Sequence, residues 1–544
     1  MGAEAAAASA LAFLSAAMAS AYAADWVGLP IAPLAVLAVS AAAAIGTFAA
    51  LRGAAARDPG AAAAFAAIVA AAFAALLLRA RTNELLPTSS GPDLVHHLAL
   101  IGYIERHWRL VHDVRLSEYL GEMIDYTPGV HLLAALAGAW LRRDGLHVVY
   151  TVVACTCALK AGLVFLIARR FVPATASRNA FAALAVALLL VPYRYSIASF
   201  TEQSYYAQVV SELFALAMWW TTIVWDERPW AAAPPLFALF GVAAFLAWPV
   251  WIGPAVVTFA VVVLAHGERS IGDRAADFAI AAAPIAAIGA MHAVRHPGGF
   301  RMAGTGGFAI WPTPSEVGWW FYAPAAAASL FAVTRRRTRT IAVLLVAIAL
   351  QAAALAMTAR AAGAAAPYLA LKMFYLAIYP IAIAIAALLA WLAGRAAARA
   401  PRIGSPAVAW AIAAIVAVAA MRPIASARRP APVVTAPVLR AGEWALARFS
   451  PECVDYLTRD GYTAYWLHLA VFGQPRASGR AMHDETFEPQ KALVRWILPG
   501  SLPYAITDDL DALPRDIRGN VDVLQQFGRA AVVARRGSSP ASCP

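Results

Sequence analysis

Long apolar runs, many of them long enough to cross a bilayer, recur from the start of the chain to about residue 421. A membrane-spanning helix needs about 20 predominantly apolar residues, and runs of alanine, valine and leucine on that scale return many times. Of the 544 residues, 62% are apolar and 14% are charged, whereas soluble domains carry about a quarter charged residues. The pattern therefore predicts an all-α polytopic membrane protein.

Thirteen segments fit a span or a short span when the chain is divided in this way. The first ends in AYAAD, as a secretory signal can, but its leading residues, MGAE, contain no lysine or arginine. An uncleaved helix is therefore the better interpretation. The predicted spans are 5–24, 31–51, 60–80, 147–168, 178–193, 207–225, 233–250, 253–266, 275–293, 319–334, 340–357, 367–393 and 405–421.

The arginines predict how these spans are oriented. Clusters such as Arg169 with Arg170, and Arg335 to Arg337, fall in short gaps that share one side if every run crosses once. Basic residues concentrate in cytoplasmic loops, so the N-terminus is expected in the cytoplasm and the C-terminal domain outside the inner or plasma membrane. The formal net charge of +12 follows from this arrangement, and we expect no nucleic-acid partner.

Two large parts then lie on the outer side. One is the loop 81–146 within a membrane domain of residues 1–425, and it contains an apolar stretch, 130–141, too short to span. We expect that stretch to lie along the membrane surface as an amphipathic or partly buried helix. The other part is residues 441–544, where mixed polar and apolar residues with short β-like runs predict a small α/β domain, after a proline-rich linker at 426–440.

The four cysteines follow the same division. Cys155 and Cys157 fall inside a predicted helix, where a structural role is expected. Cys453 and Cys543 bracket the outer domain, and an oxidising compartment would let them form a disulfide.

A cluster of ionisable residues opens the first outer loop, in the sequence SSGPDLVHHLALIGYIERHWRL. His96 and His97 follow Asp93 at i+3 and i+4, so on a helix all three can share one face. The histidines could orient the carboxylate, bind a divalent cation with it (Asp93 and His97 being the candidate ligands), or hold a phosphate. The alternative is that Asp93 caps a helix that begins at Leu94, because aspartate is a favoured N-cap.

Lysine is scarce in this chain, which makes its positions informative. Among 43 basic residues there are only three lysines, and Lys160 and Lys372 fall inside predicted membrane helices, where ionisable groups are costly. Tyr368, Tyr375 and Tyr379 share one helix face with Lys372, an arrangement suited to a lipid phosphate. The alternative is an aromatic belt with a snorkelling lysine. For Lys160, a structural ion pair and a functional role both stay open.

Two further outer segments could complete a cavity. Residues 193–206, YRYSIASFTEQSYY, combine aromatic rings and hydroxyls with Glu202 and could hold a sugar, although aromatic residues at a helix end are commonly interface anchors. Residues 292–301, HAVRHPGGFR, carry Arg295 and Arg301 and could close over a phosphate, although a lone glycine-bearing loop is weak evidence.

The loop motifs resemble those of the GT-C class of integral-membrane glycosyltransferases, which includes the protein mannosyltransferase and aminoarabinose transferase families. Members carry an acidic residue early in the first outer loop and often a Y-x-P-P-like turn before a juxtamembrane helix. Here Asp93 in GPDLVHH matches the acid, and Tyr126–Pro128 in YTPGVHLL matches the turn. The chain departs from the pattern at Leu94, where many relatives have a second acid, and at Gly129, which replaces the second proline.

The resemblance implies a reaction and its partners. A sugar would pass from a polyprenyl-phosphate donor to a glycan, lipid or protein acceptor, with inversion at the anomeric carbon and no certain cofactor beyond a possible divalent metal ion. Asp93 would take the acceptor's proton as general base, with His96 and His97 beside it. Taken together with the residue patterns described above, the predicted ligands of the substrate and the lipid phosphate are Tyr126, His131, Glu202, Arg295, Arg301, Tyr368, Lys372, Tyr375 and Tyr379.

Two other functions stay open from the sequence. A lipid-linked oligosaccharide polymerase or ligase would share an outer-face cavity, but such enzymes often rely on arginines in large outer loops. A transporter or flippase would be expected to show broken helices and charged residues near the midplane of matching halves. That function would leave the long first loop and the globular tail unexplained.

Overall fold

The computed structural model describes residues 2–52, 58–80, 86–88, 93–298, 309–398, 405–426, 432, 434–474, 489–498 and 502–537. Most of these residues are helical, and a small sheet follows the helical part. The longer helices are α1 (Gly2–Trp26), α2 (Pro33–Arg52), α3 (Pro59–Arg79), α4 (Asp93–His107), α5 (Gly129–Leu141), α6 (Gly145–Phe171), α7 (Arg178–Leu188), α8 (Tyr206–Glu227), α9 (Ala233–Ala247), α10 (Ile252–Ala265), α11 (Ile271–Arg295), α12 (Trp319–Thr334), α13 (Arg339–Ala361), α14 (Tyr368–Ala397), α15 (Pro406–Ser426), α16 (Ala436–Leu446) and α17 (Pro489–Ile497). Short helical turns lie at Val114–Leu116, Ser117–Leu120, Gly121–Ile124, Tyr193–Ser196, Ala198–Thr201, Pro249–Trp251, Pro314–Val317, Arg336–Thr338, Pro451–Cys453, Gly461–Trp466, Leu467–Val471, Leu510–Ala512 and Arg515–Arg518.

The predicted spans correspond to the helices α1 to α3 and α6 to α15. Within the described part of the chain, eight helices are long and apolar enough to cross a membrane. Other predicted spans, such as α7 and α9, are shorter apolar helices. The all-α membrane architecture is therefore confirmed, whereas the number of crossings stays a prediction.

One end of the helical part, here called the arginine-rich face, is held by ion pairs between helix ends. Arg170 at the end of α6 pairs with Glu4 at the start of α1, at 2.5 Å, and with Glu227 at the end of α8. Arg169 pairs with Asp58, which caps the start of α3. Arg337 donates to the Arg170 carbonyl at 3.0 Å, so two of the arginine clusters assigned to one side by the positive-inside pattern meet in space.

The opposite end, here called the loop face, is where α1 ends and α6 begins. Arg79, the last residue of α3, donates to the Ile424 carbonyl near the end of α15 at 3.1 Å, so the chain enters its C-terminal domain at this face. The first outer loop and the tail therefore share one face, as predicted. Which side of the membrane that face occupies stays a prediction.

The short helix α5 is buried rather than exposed along a surface. Residues from Gly129 to Leu136 are buried, and Thr127 just before the helix donates to the Ala247 carbonyl of α9 at 3.0 Å. A Cβ at Gly129 would lie 2.7 Å from the carbonyl of Leu246, so only glycine allows this approach. The helix is thus buried more completely than the amphipathic or partly buried surface helix that the sequence predicted, and its place along the membrane surface stays a prediction.

A four-stranded sheet forms the core of the C-terminal domain within the described residues. Its strands are β1 (Val454–Leu457), β2 (Tyr504–Thr507), β3 (Val521–Phe527) and β4 (Ala530–Arg535), in the order β1-β2-β4-β3. The β1–β2 pair is parallel and the other two are antiparallel. Helix α16, which begins inside the predicted linker, packs against this sheet. The small C-terminal α/β domain is confirmed, whereas its boundaries at residues 441–544 are not tested and stay a prediction.

The cysteines agree with the predicted division as far as they are described. Cys155 and Cys157 are free thiols on α6, and Cys453 is disulfide-bonded at the start of the sheet domain. Its predicted partner, Cys543, lies outside the described residues, so that pairing stays a prediction.

Glu105 ties the end of α4 to the start of α6. Its Oε1 accepts a hydrogen bond from the Gly145 backbone N–H at 2.5 Å, and an added Cβ at Gly138 would lie 3.0 Å from the same oxygen. Burial raises the pKa of the Glu105 carboxyl to about 7. The first loop therefore contains a carboxyl group that titrates near neutral pH.

We expect this carboxyl to make the folded state less stable as pH rises from about 4.5 to 7. The folded state holds the Glu105 proton across that window while the unfolded chain releases it, so unfolding is favoured increasingly as pH increases. In Glu105→Gln the amide oxygen can keep the Gly145 bond without titrating. The melting temperature of this variant in detergent should therefore decline less across the window than that of the wild type. Asp113→Asn, a change at an acid whose pKa is lowered by Arg115, should follow the wild type; parallel curves for Glu105→Gln and wild type would contradict the assignment.

Candidate active site

Helix α4 begins at Asp93 on the loop face. The side chain of Asp93 lies outside the described residues, so neither the general-base prediction nor the helix-cap alternative is tested. The backbone nevertheless places Asp93 one helical turn before His97. Whatever surrounds His97 therefore lies near the first turn of α4.

His97 points into the helical part. Its Nδ1 lies 2.8 Å from Nε2 of His131 on α5, so one ring donates a hydrogen bond to the other. The Tyr126 ring stands edge-on to His97 and the Tyr206 ring stacks on it, with centroids 5.7 and 6.0 Å away. Burial, together with His97, lowers the pKa of His131 well below its usual value. His131 is therefore neutral at physiological pH.

His96 faces the C-terminal domain instead. Its Nε2 lies 3.0 Å from the hydroxyl of Tyr465, and the two rings meet edge to face. The two histidines predicted as catalytic partners thus contact different parts of the protein. No group of three metal-ligating side chains converges within the described part of the chain, and the predicted ligand Asp93 is outside that search.

The turn before α8 joins two clusters of side chains. Ser204 in this turn has a left-handed backbone, with φ of 54°, and the two tyrosines that follow diverge. Tyr206 stacks on His97, while the ring of Tyr205 lies 2.9 Å from Nζ of Lys372, measured to its centroid. The histidine pair of the first loop and the lysine of α14 therefore meet at one dipeptide.

Lys372 is fully buried among aromatic rings. The centroids of Tyr368 and Tyr375 lie 5.2 and 4.9 Å from its Nζ, which is the range of cation–π attraction. The Tyr375 hydroxyl donates to Oε1 of Gln203 at 3.3 Å, in the turn before α8. Two members of the predicted tyrosine stripe thus surround the lysine, and Tyr205, which the sequence pattern did not single out, completes the set.

Tyr379, the last member of the stripe, belongs to a second buried group. Its hydroxyl donates to Oε2 of Glu212 at 2.6 Å, and Nζ of Lys160 lies 2.5 Å from the same oxygen. Gln208 donates to the other carboxylate oxygen at 3.1 Å. Of the two roles left open for Lys160, the structure shows the ion pair. Sequence reasoning missed Glu212, although an acid inside the predicted span 207–225 is the signal that could have found it.

Glu202 lies in a small polar group at the end of α3. It accepts from the Tyr193 hydroxyl and lies 3.4 Å from Nη2 of Arg79. The same Nη2 donates to the Tyr193 hydroxyl at 2.7 Å. Arg79 was not predicted, because its position at the end of an apolar run is ordinary for an interface residue.

Arg295 contacts the end of α1 rather than the tyrosines around Lys372. Its Nη1 lies 3.2 Å from Oδ2 of Asp25, a buried carboxylate at the end of α1, and its guanidinium lies 4.0 Å from the Trp26 ring centroid. His296, just beyond, is 4.0 Å from Asp125. Arg301, the other predicted phosphate ligand of this segment, lies outside the described residues.

The Lys160–Glu212 pair gives a direct test of how the helical part is held together. Glu212→Gln leaves a buried ammonium without its carboxylate, and breaking a buried pair costs about 3–5 kcal/mol. We expect a strongly lowered melting temperature in detergent, largely restored when Lys160→Met is added. The matched control is Glu316→Gln, since the Arg194–Glu316 pair is more exposed and such pairs contribute about 0–1 kcal/mol. Equal melting temperatures for Glu212→Gln and Glu316→Gln would show that the buried pair is not structural.

Comparison with known proteins gives a likeness of fold. No protein-family model matches the chain, and no curated protein sequence does. Among solved structures, ArnT from Cupriavidus metallidurans bound to undecaprenyl phosphate has a TM-score of 0.48 at 13% identity, covering 89% of this chain and 99% of its own. The Archaeoglobus fulgidus oligosaccharyltransferase in complex with zinc and sulfate has a TM-score of 0.46 at 13% identity, covering 82% of this chain and 68% of its own.

The arabinofuranosyltransferase AftD from Mycobacteria matches with a TM-score of 0.50 at 13% identity, over 86% of this chain and 40% of its own. At this identity the likeness concerns the fold alone. The sequence resemblance noted in the first loop pointed to the same class. The chain therefore has a fold similar to that of this arabinofuranosyltransferase.

Proposed function

We propose that the chain transfers a sugar from a polyprenyl-phosphate-linked donor to an acceptor hydroxyl on the outer face of the membrane. The observation that carries the proposal is the meeting of two clusters at Tyr205 and Tyr206. One cluster is the buried Lys372 with its tyrosines, and the other is the histidine pair next to the first turn of α4. The GT-C fold supports this assignment.

Lys372 is assigned to the phosphate of the donor. A lysine ammonium is a point charge that pairs with phosphate, and hydrogen bonds to ionised groups are about twice as strong as neutral ones. The rings of Tyr368 and Tyr375 lie beside the ammonium in the same cluster. Tyr375 is held by its bond to Gln203, so its position is set before a ligand arrives. A departing lipid phosphate would gain charge at this place, where a buried cation stabilises it most.

An apolar cavity supports a lipid-linked donor. It has a volume of about 430 Å³ and lies among α3, α6, α7 and α15. Its lining includes Leu76, Met421 and Ile424, with Arg79 and Lys160 as the charged members. Tyr379 also lines it, two turns along α14 from Lys372. We assign this cavity to part of the donor's isoprenoid chain.

Asp93 is assigned as the general base. The acceptor oxygen would form a bond to the anomeric carbon while its proton passes to the Asp93 carboxylate. The bond from that carbon to the phosphate oxygen would break, and the lipid phosphate would leave with the electron pair towards Lys372. Attack opposite the leaving group inverts the configuration. His97, held by neutral His131, would position the groups at this end of α4.

The first prediction of this proposal separates a catalytic base from a helix cap at Asp93. Asparagine caps a helix about as well as aspartate but cannot accept the proton, and general-base catalysis typically contributes 10²–10⁴-fold. Asp93→Asn should therefore lose about that much transfer of radiolabelled sugar from polyprenyl phosphate in reconstituted membranes, with an unchanged melting temperature. Asp113→Asn, in the same loop but exposed, should stay active. Near-normal transfer by a well-folded Asp93→Asn chain would assign the base elsewhere, with Asp125 the next candidate.

The second prediction concerns the donor phosphate. Lys372→Met keeps most of the side-chain volume but removes the charge, and a hydrogen bond to a charged group contributes about 1.5–3 kcal/mol. Affinity for polyprenyl phosphate, measured by isothermal titration in detergent, should fall about 10- to 150-fold. Lys372→Arg should keep part of it, because either cation pairs with phosphate in a different geometry. Lys491→Met, in the C-terminal domain, is the matched control. If Lys372→Met leaves the affinity unchanged, Lys372 does not bind the donor phosphate and the tyrosines around it serve packing.

A further inference from the structure

A second cavity on the loop face has a basic lining and lies apart from the residues around Lys372. It has a volume of about 340 Å³ and opens between the end of α1, the segment after α4 and the end of α11. Four of its seven lining residues are arginine or histidine. The lining residues are Asp25, Gly28, Arg109, Val111, His112, Arg295 and His296.

Asp25, the one acid in this lining, is already engaged by the protein. Its side chain is 1% exposed. Oδ1 accepts from the Leu110 backbone N–H at 2.9 Å, while Oδ2 lies 2.9 Å from Nε2 of His112 and 3.2 Å from Nη1 of Arg295. The carboxylate therefore fixes the wall of the cavity rather than attracting a cation into it.

The charge that remains in the cavity is positive. Two arginines face one carboxylate in the lining, even with both histidines neutral. Arg109 is exposed, and no hydrogen bond or ion pair of its side chain is found within the described residues. Asp125 lies behind His296 at 4.0 Å and is not part of the lining. The cavity thus presents an exposed arginine, Arg109, beside Arg295, which is held by Asp25, and this arrangement suits an oxyanion.

Exposed apolar side chains near the cavity indicate where its ligand comes from. Val27 and Leu29, which flank Gly28, are 66% and 59% exposed, and Val294, next to Arg295, is 77% exposed. These residues follow or end the candidate spans α1 and α11. Trp26, under Arg295, is a residue type typical of the membrane interface. A basic cavity among apolar residues at the ends of two spans fits the headgroup of an anionic amphiphile better than a soluble ion.

The cavity is also next to the candidate active site. Nε2 of His292, on the last turn of α11, lies 3.4 Å from the Asp125 carbonyl oxygen. Tyr126, the following residue, packs against His97, and consecutive Cα atoms are about 3.8 Å apart. A headgroup held by Arg109 and Arg295 would therefore be separated from the His97–His131 pair by the short segment that contains Asp125 and Tyr126.

We propose that this cavity binds the phosphate or carboxylate headgroup of a membrane lipid, and that this lipid is the acceptor of the transferred sugar. The role of this lipid as acceptor rests on the proposed function, whereas the existence of the headgroup site does not. Lys372 and this cavity would then hold two different lipids, the donor and the acceptor, on opposite sides of His97 and Tyr126.

The test measures binding in the full chain with Lys372→Met, so that the donor site does not contribute. Phosphatidic acid, the neutral diacylglycerol with the same acyl chains, and inorganic phosphate are each titrated calorimetrically in a neutral detergent. We expect phosphatidic acid to bind and the other two to bind far more weakly. Adding Arg109→Ala should weaken binding of phosphatidic acid about 10- to 100-fold through loss of a charge-assisted hydrogen bond. Arg109→Lys should retain part of the affinity.

Arg143→Ala provides the matched control, because Arg143 is an exposed arginine of the same loop outside the cavity. Equal binding to Arg109→Ala and Arg143→Ala would overturn the site, as would the absence of any binding of phosphatidic acid. Inorganic phosphate binding as tightly as phosphatidic acid would overturn the lipid assignment. A chain that binds this lipid through Arg109 but never transfers sugar would therefore refute the proposed function and leave the headgroup site standing.

Discussion

Burying charge in an apolar helical bundle is expensive, and the centre of this protein is organised around two buried lysines. Taking an ion out of water costs several kcal/mol unless partners surround it. Lys160 has a carboxylate, Glu212, which is in turn bonded by Tyr379 and Gln208. Lys372 is surrounded by tyrosine rings from α14 and from the turn before α8. Lys160 is thus paired with a carboxylate of the protein, whereas Lys372 lies among the aromatic rings to which the donor phosphate is assigned.

Helices α8 and α14 take part in the surroundings of both lysines. Tyr379 and Lys372 are both on α14, and Glu212 is on α8 directly after the turn that carries Tyr205. The Lys160–Glu212–Tyr379 group therefore fixes α14 against α6 and α8, which sets the position of Lys372 relative to Tyr205. Loss of the buried pair should disturb the candidate phosphate site even though no residue of the pair touches Lys372 in the contacts described above.

Helix α4 connects the C-terminal domain to the candidate active site. Successive residues on a helix point about 100° apart, so neighbouring histidines reach in different directions. His96 meets Tyr465 of the C-terminal domain and His97 meets His131 of the helical part. The C-terminal domain is thereby attached beside the first turn of α4, where Asp93 lies. This contact gives the domain a physical means of affecting the orientation of the proposed base.

The sequence by itself determined the apolar helices, the small C-terminal α/β domain and the tyrosines on one face with Lys372. These features follow from residues close in the chain, since span length and helical period are local properties. Only the tertiary structure decided which residues meet. Tyr379 bonds to Glu212, 167 residues away, and Arg295 bonds to Asp25, 270 residues away. Such pairings depend on how helices approach one another, which no local pattern encodes. The left-handed turn at Ser204 directs Tyr205 to Lys372 and Tyr206 to His97, which links the first loop to α14.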